Sequence, residues 1–462
     1  MPHRLRDALH TRLRDHGSHS RWVLIAALVG MFSTTFPTTI LAVSLATIAA
    51  DFKVAETTMA WLISAPLLFS AMALPLLGKL GDLHGHRRVF LAGFVAATLT
   101  TAATAAAWSA WSLIGLRTLS SIVGAATQPS SLALIFLVVP KHARARAVGW
   151  WSMTAAGAPA LGLAVGGPLV EAFGWRVLFA TQAGLSLLAV VFAWLVLTET
   201  PTRRVRFDFA GAATLTLGVT GLMIALSRLR DEPLASPWIW GCALGGALAL
   251  AAFVAVERRV AARALDPSSN ASPLLPLELF RLRNFSAPIA ANALQGAGYM
   301  GSFVMAPLVF LGPFAFTVTA TAGLMLLRTI SLSLGSPLGG RLGERVGERA
   351  AAVTGSAIMT LAFLLLAWGV VLPSVAVAGA GLVLLGLGQG LARPSLLASI
   401  ASAGPEEHLG IASATARLTA QVGGSFGITV MTLVYGGAVI AATTTVPAAA
   451  VAEAAAHPAT RG

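Results

Sequence analysis

The sequence predicts an all-α, polytopic membrane protein built as two related helical bundles. Three observations carry that prediction. Mean hydropathy is +0.80 and only 11% of residues are charged, where a soluble domain carries about 25%. Apolar runs long enough to cross a bilayer recur along the whole chain. One short polar motif appears twice, 262 residues apart, and each copy sits between two long apolar runs.

Residues 1–21 are basic, with Leu5, Leu9 and Leu13 spaced four apart. That pattern fits a short helix on the membrane surface, or a basic tail. Thirteen apolar runs follow, at about 22–48, 57–78, 88–107, 111–139, 147–170, 177–198, 208–226, 236–256, 285–311, 318–340, 350–370, 373–400 and 409–441. The longest polar break, 257–284, holds Glu257, Arg258, Arg259, Asp266, Pro267, Pro273 and Pro276. The expected organisation is a basic segment 1–21, a six-helix bundle 22–198, two extra helices 208–256, a linker 257–284, a second bundle 285–441 with five spans, and a polar tail 442–462.

The distribution of Lys and Arg orients this topology, because cytoplasmic loops carry the excess. With the N-terminus inside, cytoplasmic segments hold 22 of the 31 Lys and Arg residues, outside segments five, and the spans four. The alternation accounts for much of the +13 net charge without a nucleic-acid partner; the lipid bilayer is the partner it implies. Arginine outnumbers lysine 28 to 3 and alanine is abundant, a composition that points to a high-GC bacterial genome and hence the plasma membrane. The single cysteine, Cys242, excludes an intrachain disulfide.

The repeated motif reads Gly78-Lys79-Leu80-Gly81-Asp82-Leu83-His84-Gly85-His86-Arg87-Arg88 and Gly340-Arg341-Leu342-Gly343-Glu344-Arg345-Val346-Gly347-Glu348-Arg349. Both copies fit G-[KR]-L-G-[DE]-x-x-G-x-R. Internal repeats of this kind mark secondary transporters. Glycine lets two helix ends approach and turn sharply. Asp82 can cap the start of the next helix or pair with a cation from elsewhere, and Arg87 and Arg88 sit at the membrane edge, where arginine anchors a loop.

This motif resembles the signature loop between helices 2 and 3 of the major facilitator superfamily. Other stretches extend the likeness. Gly157, Pro159, Gly162, Gly166 and Gly167, followed by Phe173-Gly174-Trp175-Arg176, are similar to the Gly/Pro-rich fifth helix of exporters, although Leu163 stands at one of its usual prolines. Small residues there favour close packing or hinging. Leu113 to Arg117, Gly124 and Pro129 resemble the fourth helix of proton antiporters, and Arg117 matches their intramembrane arginine, implying a part in proton coupling. Phe207-Asp208-Phe209-Ala210-Gly211 and the extra helix pair resemble the fourteen-span drug:proton antiporter branch, as does Gln421-Val422-Gly423-Gly424. Against that branch, Pro37 replaces the first-helix Asp beside Thr38-Thr39-Ile40, Ala42 stands where Asn is common, and the expected last span is missing. The resemblance implies a secondary active transporter exporting amphiphilic small molecules by alternating access, with protons as the coupling ion. In that reading Gly78, Asp82, Gly85, Arg87 and Arg88 latch the cytoplasmic side, with Gly340, Glu344 and Arg349 as the second-half counterpart.

All 18 Asp and Glu residues fall in loops or at span ends, whereas Arg117, Arg328, Arg393 and Arg417 lie within spans. A buried charge is costly, so each arginine should face a cavity, a backbone carbonyl or a partner helix. Arginine does not titrate, which leaves Asp82, Glu171 and Asp208 as edge groups for proton exchange. These charges favour neutral or anionic substrates over lipophilic cations. Asn292, Gln295 and Tyr299 share one face of the span after the linker; they glue helices together or line the substrate cavity, joined by Arg328, Gln128 and Gln389. Trp151 is a further candidate. The His residues show no metal-ligand spacing, the Gly-rich runs are not phosphate loops, and no cofactor or catalytic constellation is visible. The alternatives left open are a facilitator or importer of organic anions and a non-transporting membrane receptor.

Overall fold

The computed structural model describes residues 19–36, 41, 44–59, 61–200, 208–229, 235–264, 273–312, 314–405 and 408–445. Pro37 to Ile40, Ala42, Phe207, most of segment 1–21 and the tail from 446 lie outside them. Among the described residues every regular element is a helix and there are no strands. In chain order the helices are α1 (His19–Thr35), α2 (Leu45–Asp51), α3 (Glu56–Met59), α4 (Trp61–His84), α5 (His86–Ala105), α6 (Ala110–Gly124), α7 (Thr127–Val138), α8 (Arg144–Phe173) and α9 (Trp175–Val196). They continue with α10 (Phe209–Arg228), α11 (Pro237–Ala264), α12 (Arg283–Leu311), α13 (Val318–Val346), α14 (Glu348–Val371), α15 (Val375–Ser402) and α16 (Leu409–Thr445). Ten helices among the described residues are long and apolar enough to cross a membrane, counting 110–138 as one. The other expected spans coincide with α1, α8 and α13. This is a multi-pass membrane protein.

The helix boundaries follow local chemistry. Ser109 starts α6 with a reciprocal capping box, its hydroxyl accepting from Ser112 N–H at 3.1 Å while Ser112 Oγ accepts from Ser109 N–H at 2.9 Å. Asp208 caps α10 through Gly211 N–H at 2.8 Å, and Thr317 caps α13 through Ala320 N–H at 3.2 Å. The expected single run 111–139 bends between α6 and α7. Pro129 follows the bend, and its missing N–H leaves that turn of the helical ladder unmade.

The repeated motif is less of a loop than expected. Helix α4 runs through its charged residues to His84, α5 starts at His86, and Gly85 alone makes the corner at φ +91°. Gly347 repeats this between α13 and α14 at the same φ of +91°. Only glycine takes that backbone freely, so the eighth position of both motif copies is fixed by geometry.

Away from this end, the carboxylate of Asp51 on α2 accepts from Trp175 Nε1 and Arg176 Nη1, each at 3.0 Å. These two partners on α9 hold the Asp51 carboxyl below the ordinary carboxylate range. The extra helices α10 and α11 pack on each other, with Gly221 against Gly246. They also bridge both bundles: Thr216 Oγ1 donates to Met72 O on α4 at 3.4 Å and Thr429 Oγ1 of α16 donates to Leu226 O at 2.9 Å. The end of the linker is strapped down beside them. Lys79 Nζ donates to Pro273 O at 2.6 Å, Leu274 N–H donates to Glu257 Oε1 at 3.0 Å, and Leu274 and Leu275 are buried with Leu215, Val219, Ile411 and Leu418.

Candidate functional site: a clasped seam between two bundles

The strongest cross-chain geometry lies where the two motif copies meet the opposite bundle. Asp82 is buried, 8% exposed. Its Oδ1 accepts from Gly410 N–H at 2.9 Å, its Oδ2 from Ile411 N–H at 3.0 Å, and His86 Nε2 lies 3.2 Å from Oδ1. The carboxylate therefore caps a helix, but the helix is α16, 328 residues away, and not the next one. A helix N-terminus carries partial positive charge and unpaired N–H groups, so an anion there is favoured by up to about 2 kcal/mol in a partly buried setting.

The second copy makes the related contact. Glu344 on α13 pairs with Arg146 in the first turn of α8, Nη1 to Oε2 3.3 Å. Glycines bring the helices that close. A Cβ on Gly78 would meet Ala414 Cβ at 2.7 Å and Gly410 O at 2.8 Å; one on Gly340 would meet Ala145 O at 2.5 Å; one on Gly149 would meet Ser336 O at 2.6 Å. The motif arginines behave differently. Arg87 pairs with Glu199 and donates to Trp194 O at 3.1 Å, and Arg88 Nε lies 3.5 Å from Glu199 Oε2. Both contacts run to the end of α9, within one bundle. Arg349 is exposed.

Just inside the clasp, one apolar plug joins the bundles. Ala27, Met31, Leu132, Phe136, Val148 and Trp151 from the first bundle pack with Ile289, Leu397, Ile400, Leu409, Ala412 and Ala416 from the second. Trp151 is 1% exposed and its Nε1 donates to Ser131 Oγ at 3.1 Å.

The remaining candidates are placed around and beyond the plug. Gln128 Oε1 and Gln389 Oε1 are buried without a hydrogen bond. Asn292 donates to Ala416 O at 2.6 Å, tying α12 to α16, while Gln295 donates to Ser356 Oγ at 2.8 Å on α14. Arg328 is fully enclosed: its guanidinium lies 3.9 Å from the centre of the Tyr299 ring and donates to Tyr299 O at 2.5 Å. Arg117 is buried with its guanidinium 6.0 Å from the Phe179 ring centre. On α8, Gly157 faces Ser333 of α13 and Gly162 lies against Phe36. Pro159 is half-buried between them. Helix α8 continues through Gly166 and Gly167; their surroundings and the Glu171 side chain are outside the described set.

The enclosure of Arg328 has a measurable consequence. R328M removes a cation–π contact and a charge-assisted hydrogen bond, worth about 2 kcal/mol or more together. The expected outcome is a clear fall in thermal midpoint of the purified protein.

Residues 27–428 match the family model described as Major Facilitator Superfamily. The chain belongs to this superfamily. Among similar sequences, the multidrug transporter protein MdtP of Bacillus subtilis is 27% identical over 91% of this chain and 76% of its own length. The tetracenomycin C resistance and export protein of Streptomyces glaucescens is 28% identical over 88% and 74%. The cephamycin export protein CmcT of Amycolatopsis lactamdurans is 29% identical over 94% and 88%. Among solved structures, the human organic anion transporter MFSD10 aligns at TM-score 0.64 with 16% identity, over 90% of this chain and 94% of that one. The proton:xylose symporter XylE aligns at TM-score 0.60 with 13% identity, over 89% and 88%. These structures share the superfamily fold.

Sequence reasoning missed several partners of the two motif copies. Arg146 lies in the basic run Lys141-His142-Ala143-Arg144-Ala145-Arg146 and Glu199 just past a span; each reads there as a topology charge or a loop residue. Gly410 and Ile411 contribute only backbone N–H groups, which leave no trace in side-chain chemistry.

Proposed function

We propose that this superfamily member is a secondary active exporter of amphiphilic small molecules, working by alternating access in the plasma membrane with its N-terminus in the cytoplasm. The observation that carries the reading is the double clasp. Asp82 on the α16 N-terminus and Glu344 on Arg146 tie opposite bundles together at one end of the molecule. The Lys/Arg distribution supports reading that end as cytoplasmic. The plug behind the clasp closes this side, so the central cavity would open outward in this conformation. The names of the relatives, as multidrug and antibiotic export proteins, support export of drug-like compounds.

In this reading residues 22–198 and 285–441 are the two rocking bundles, α10 and α11 fill the seam, and 257–284 is a cytoplasmic linker. Gly78, Gly85, Gly340 and the Asp82 and Glu344 contacts form the latch, while Arg87 and Arg88 brace the first copy against Glu199. Gly157, Pro159, Gly162, Gly166 and Gly167 let α8 pack and flex. Protons are the proposed exchange partner, with Arg117 setting the field in which carboxyl groups at the membrane edge load and release them.

The test is a toxicity panel of cationic, neutral and anionic compounds in efflux-deficient bacteria expressing the chain, repeated with a protonophore. The expected result is several-fold protection against a subset of compounds, lost when the proton gradient collapses. Unchanged sensitivity with the protein stably inserted would refute export. Protection that survives the protonophore would refute proton coupling and favour a facilitator.

A further inference from the structure

Arg393 on α15 and Arg417 on α16 are placed unlike the other arginines within the spans. On α15, Gly388 and Ala392 pack against Gly355 of α14, while Gly386 and Gly390 pack against α13. Arg393 follows one turn after Gln389, on the flank of the α13-facing stripe that carries Gly386 and Gly390, and one turn further on is Leu397, part of the plug. On α16, Gly410 and Ala414 meet Gly78 of α4 and Gln421 donates to Leu67 O. Arg417 lies on that same stripe, one residue beyond Ala416 of the plug. Both arginines thus sit about one turn or less from a plug residue, Arg393 before Leu397 and Arg417 after Ala416, and Arg417 lies on the α16 stripe that meets α4 of the opposite bundle.

Their surroundings are also distinctive. Residues 392 and 394–398 are buried, as are 414–416 and 418, yet Arg393 and Arg417 keep half-buried side chains. Among the described residues neither guanidinium has a hydrogen bond or an ion pair. The two lie within electrostatic reach of each other, and Arg393 within reach of Tyr299, the ring on which Arg328 rests. Three cations therefore gather around Tyr299 and the adjoining edge of the plug. No described carboxylate joins them: Asp82 is held by the α16 N-terminus, Glu257 by Leu274 N–H, Glu344 by Arg146 and Glu348 by Ser399. Like charges in a low-dielectric site repel, and a pair of guanidinium forks is suited to carboxylate or another oxyanion.

We propose that Arg393 and Arg417 bind an anionic group of the substrate at the floor of the central cavity, above the plug, with Arg328 and Tyr299 as the wall behind them. The substrate class is then an amphiphile carrying a carboxylate or a comparable oxyanion, its apolar part lying along the bundle seam. This deepens the exporter reading and rests on it only for the direction of movement.

The experiment uses the full chain in nanodiscs and three matched probes: a naphthyl-alkyl carboxylate, its methyl ester, and the analogue with a quaternary ammonium group. Wild-type protein is expected to bind the carboxylate at least about tenfold more tightly than the ester, as a charge-assisted bond predicts, and the ammonium analogue most weakly. In R393Q and in R417Q the carboxylate-to-ester ratio should fall toward one. Equal or better binding of the ester or the ammonium compound by wild-type protein would overturn the proposal, whatever the variants do. So would a ratio that survives in both variants, or that collapses only in R328Q. Selective carboxylate binding in a protein that gives no efflux would sink the exporter reading and leave the anion site standing.

Discussion

Replacing Asp82 by asparagine is expected to cut turnover by about ten- to a hundredfold while substrate affinity changes little. The carboxylate holds two backbone N–H groups of α16, Gly410 at 2.9 Å and Ile411 at 3.0 Å. Asparagine keeps the shape but can present only one acceptor; its amide N–H would face a second donor. Loss of a charge at a helix N-terminus and of one charge-assisted bond amounts to about 1.5–3 kcal/mol, and each 1.4 kcal/mol is about tenfold. That energy belongs to one conformation, the one with the clasp closed, so its loss shifts a population instead of weakening the cavity. Flux into proteoliposomes and equilibrium binding, measured on the same preparation, separate the two quantities. Affinity lost in parallel with turnover would refute a latch role for Asp82.

The second copy should matter less, and magnitudes say why. Arg146 and Glu344 have side chains 50% and 24% exposed. Exposed or half-exposed ion pairs contribute about 0–1 kcal/mol. E344Q is therefore expected to slow transport by less than about fivefold, read in the same assay. The two motif copies are alike in sequence and corner geometry but unequal in energy, because one uses a buried helix terminus and the other a solvated side chain.

Much of this architecture was legible in the residues because membrane folding is governed by length and hydropathy. The apolar runs, the extra helix pair after the sixth, and the Gly corners at 85 and 347 each follow from a local rule. Long-range partners do not. Nothing near Asp82 announces Gly410, since a backbone N–H is common to every non-proline residue. The charged ends of α4 and α13 read as loops, but packing across the seam lets both helices continue to their Gly corner. The arginines show the same limit. Sequence position separates Arg393 and Arg417, nearer the cytoplasmic span ends, from Arg117 and Arg328, nearer the middle, but only packing shows that Arg328 rests on Tyr299 while Arg393 and Arg417 have no hydrogen-bond or ion-pair partner among the described residues.

The close glycine contacts allow a sharper test of alternating access. Gly149 and Gly340 touch the opposite bundle: a Cβ would lie 2.6 Å from Ser336 O and 2.5 Å from Ala145 O respectively. Gly427 touches its own bundle, where a Cβ would lie 1.9 Å from Ala297 O. Overpacking costs about 1–3 kcal/mol, sometimes more, but the state that bears the cost differs. A contact within one bundle exists in every conformation, so G427L is expected to lose folded protein. A contact across the seam exists only while the clasp is closed, so G149L and G340L should fold normally, hold the plug open and transport at least about tenfold more slowly. The readout is a cysteine at a plug position, Ala412→Cys on a Cys242→Ala background, probed with a membrane-impermeant thiol reagent from the cytoplasmic side. Ala412 is 4% exposed, so labelling should be slow in the parent and fast in G149L. If G149L instead fails to fold as G427L does, or labels no faster than the parent, the seam is a permanent packing interface and the two bundles do not separate at this end.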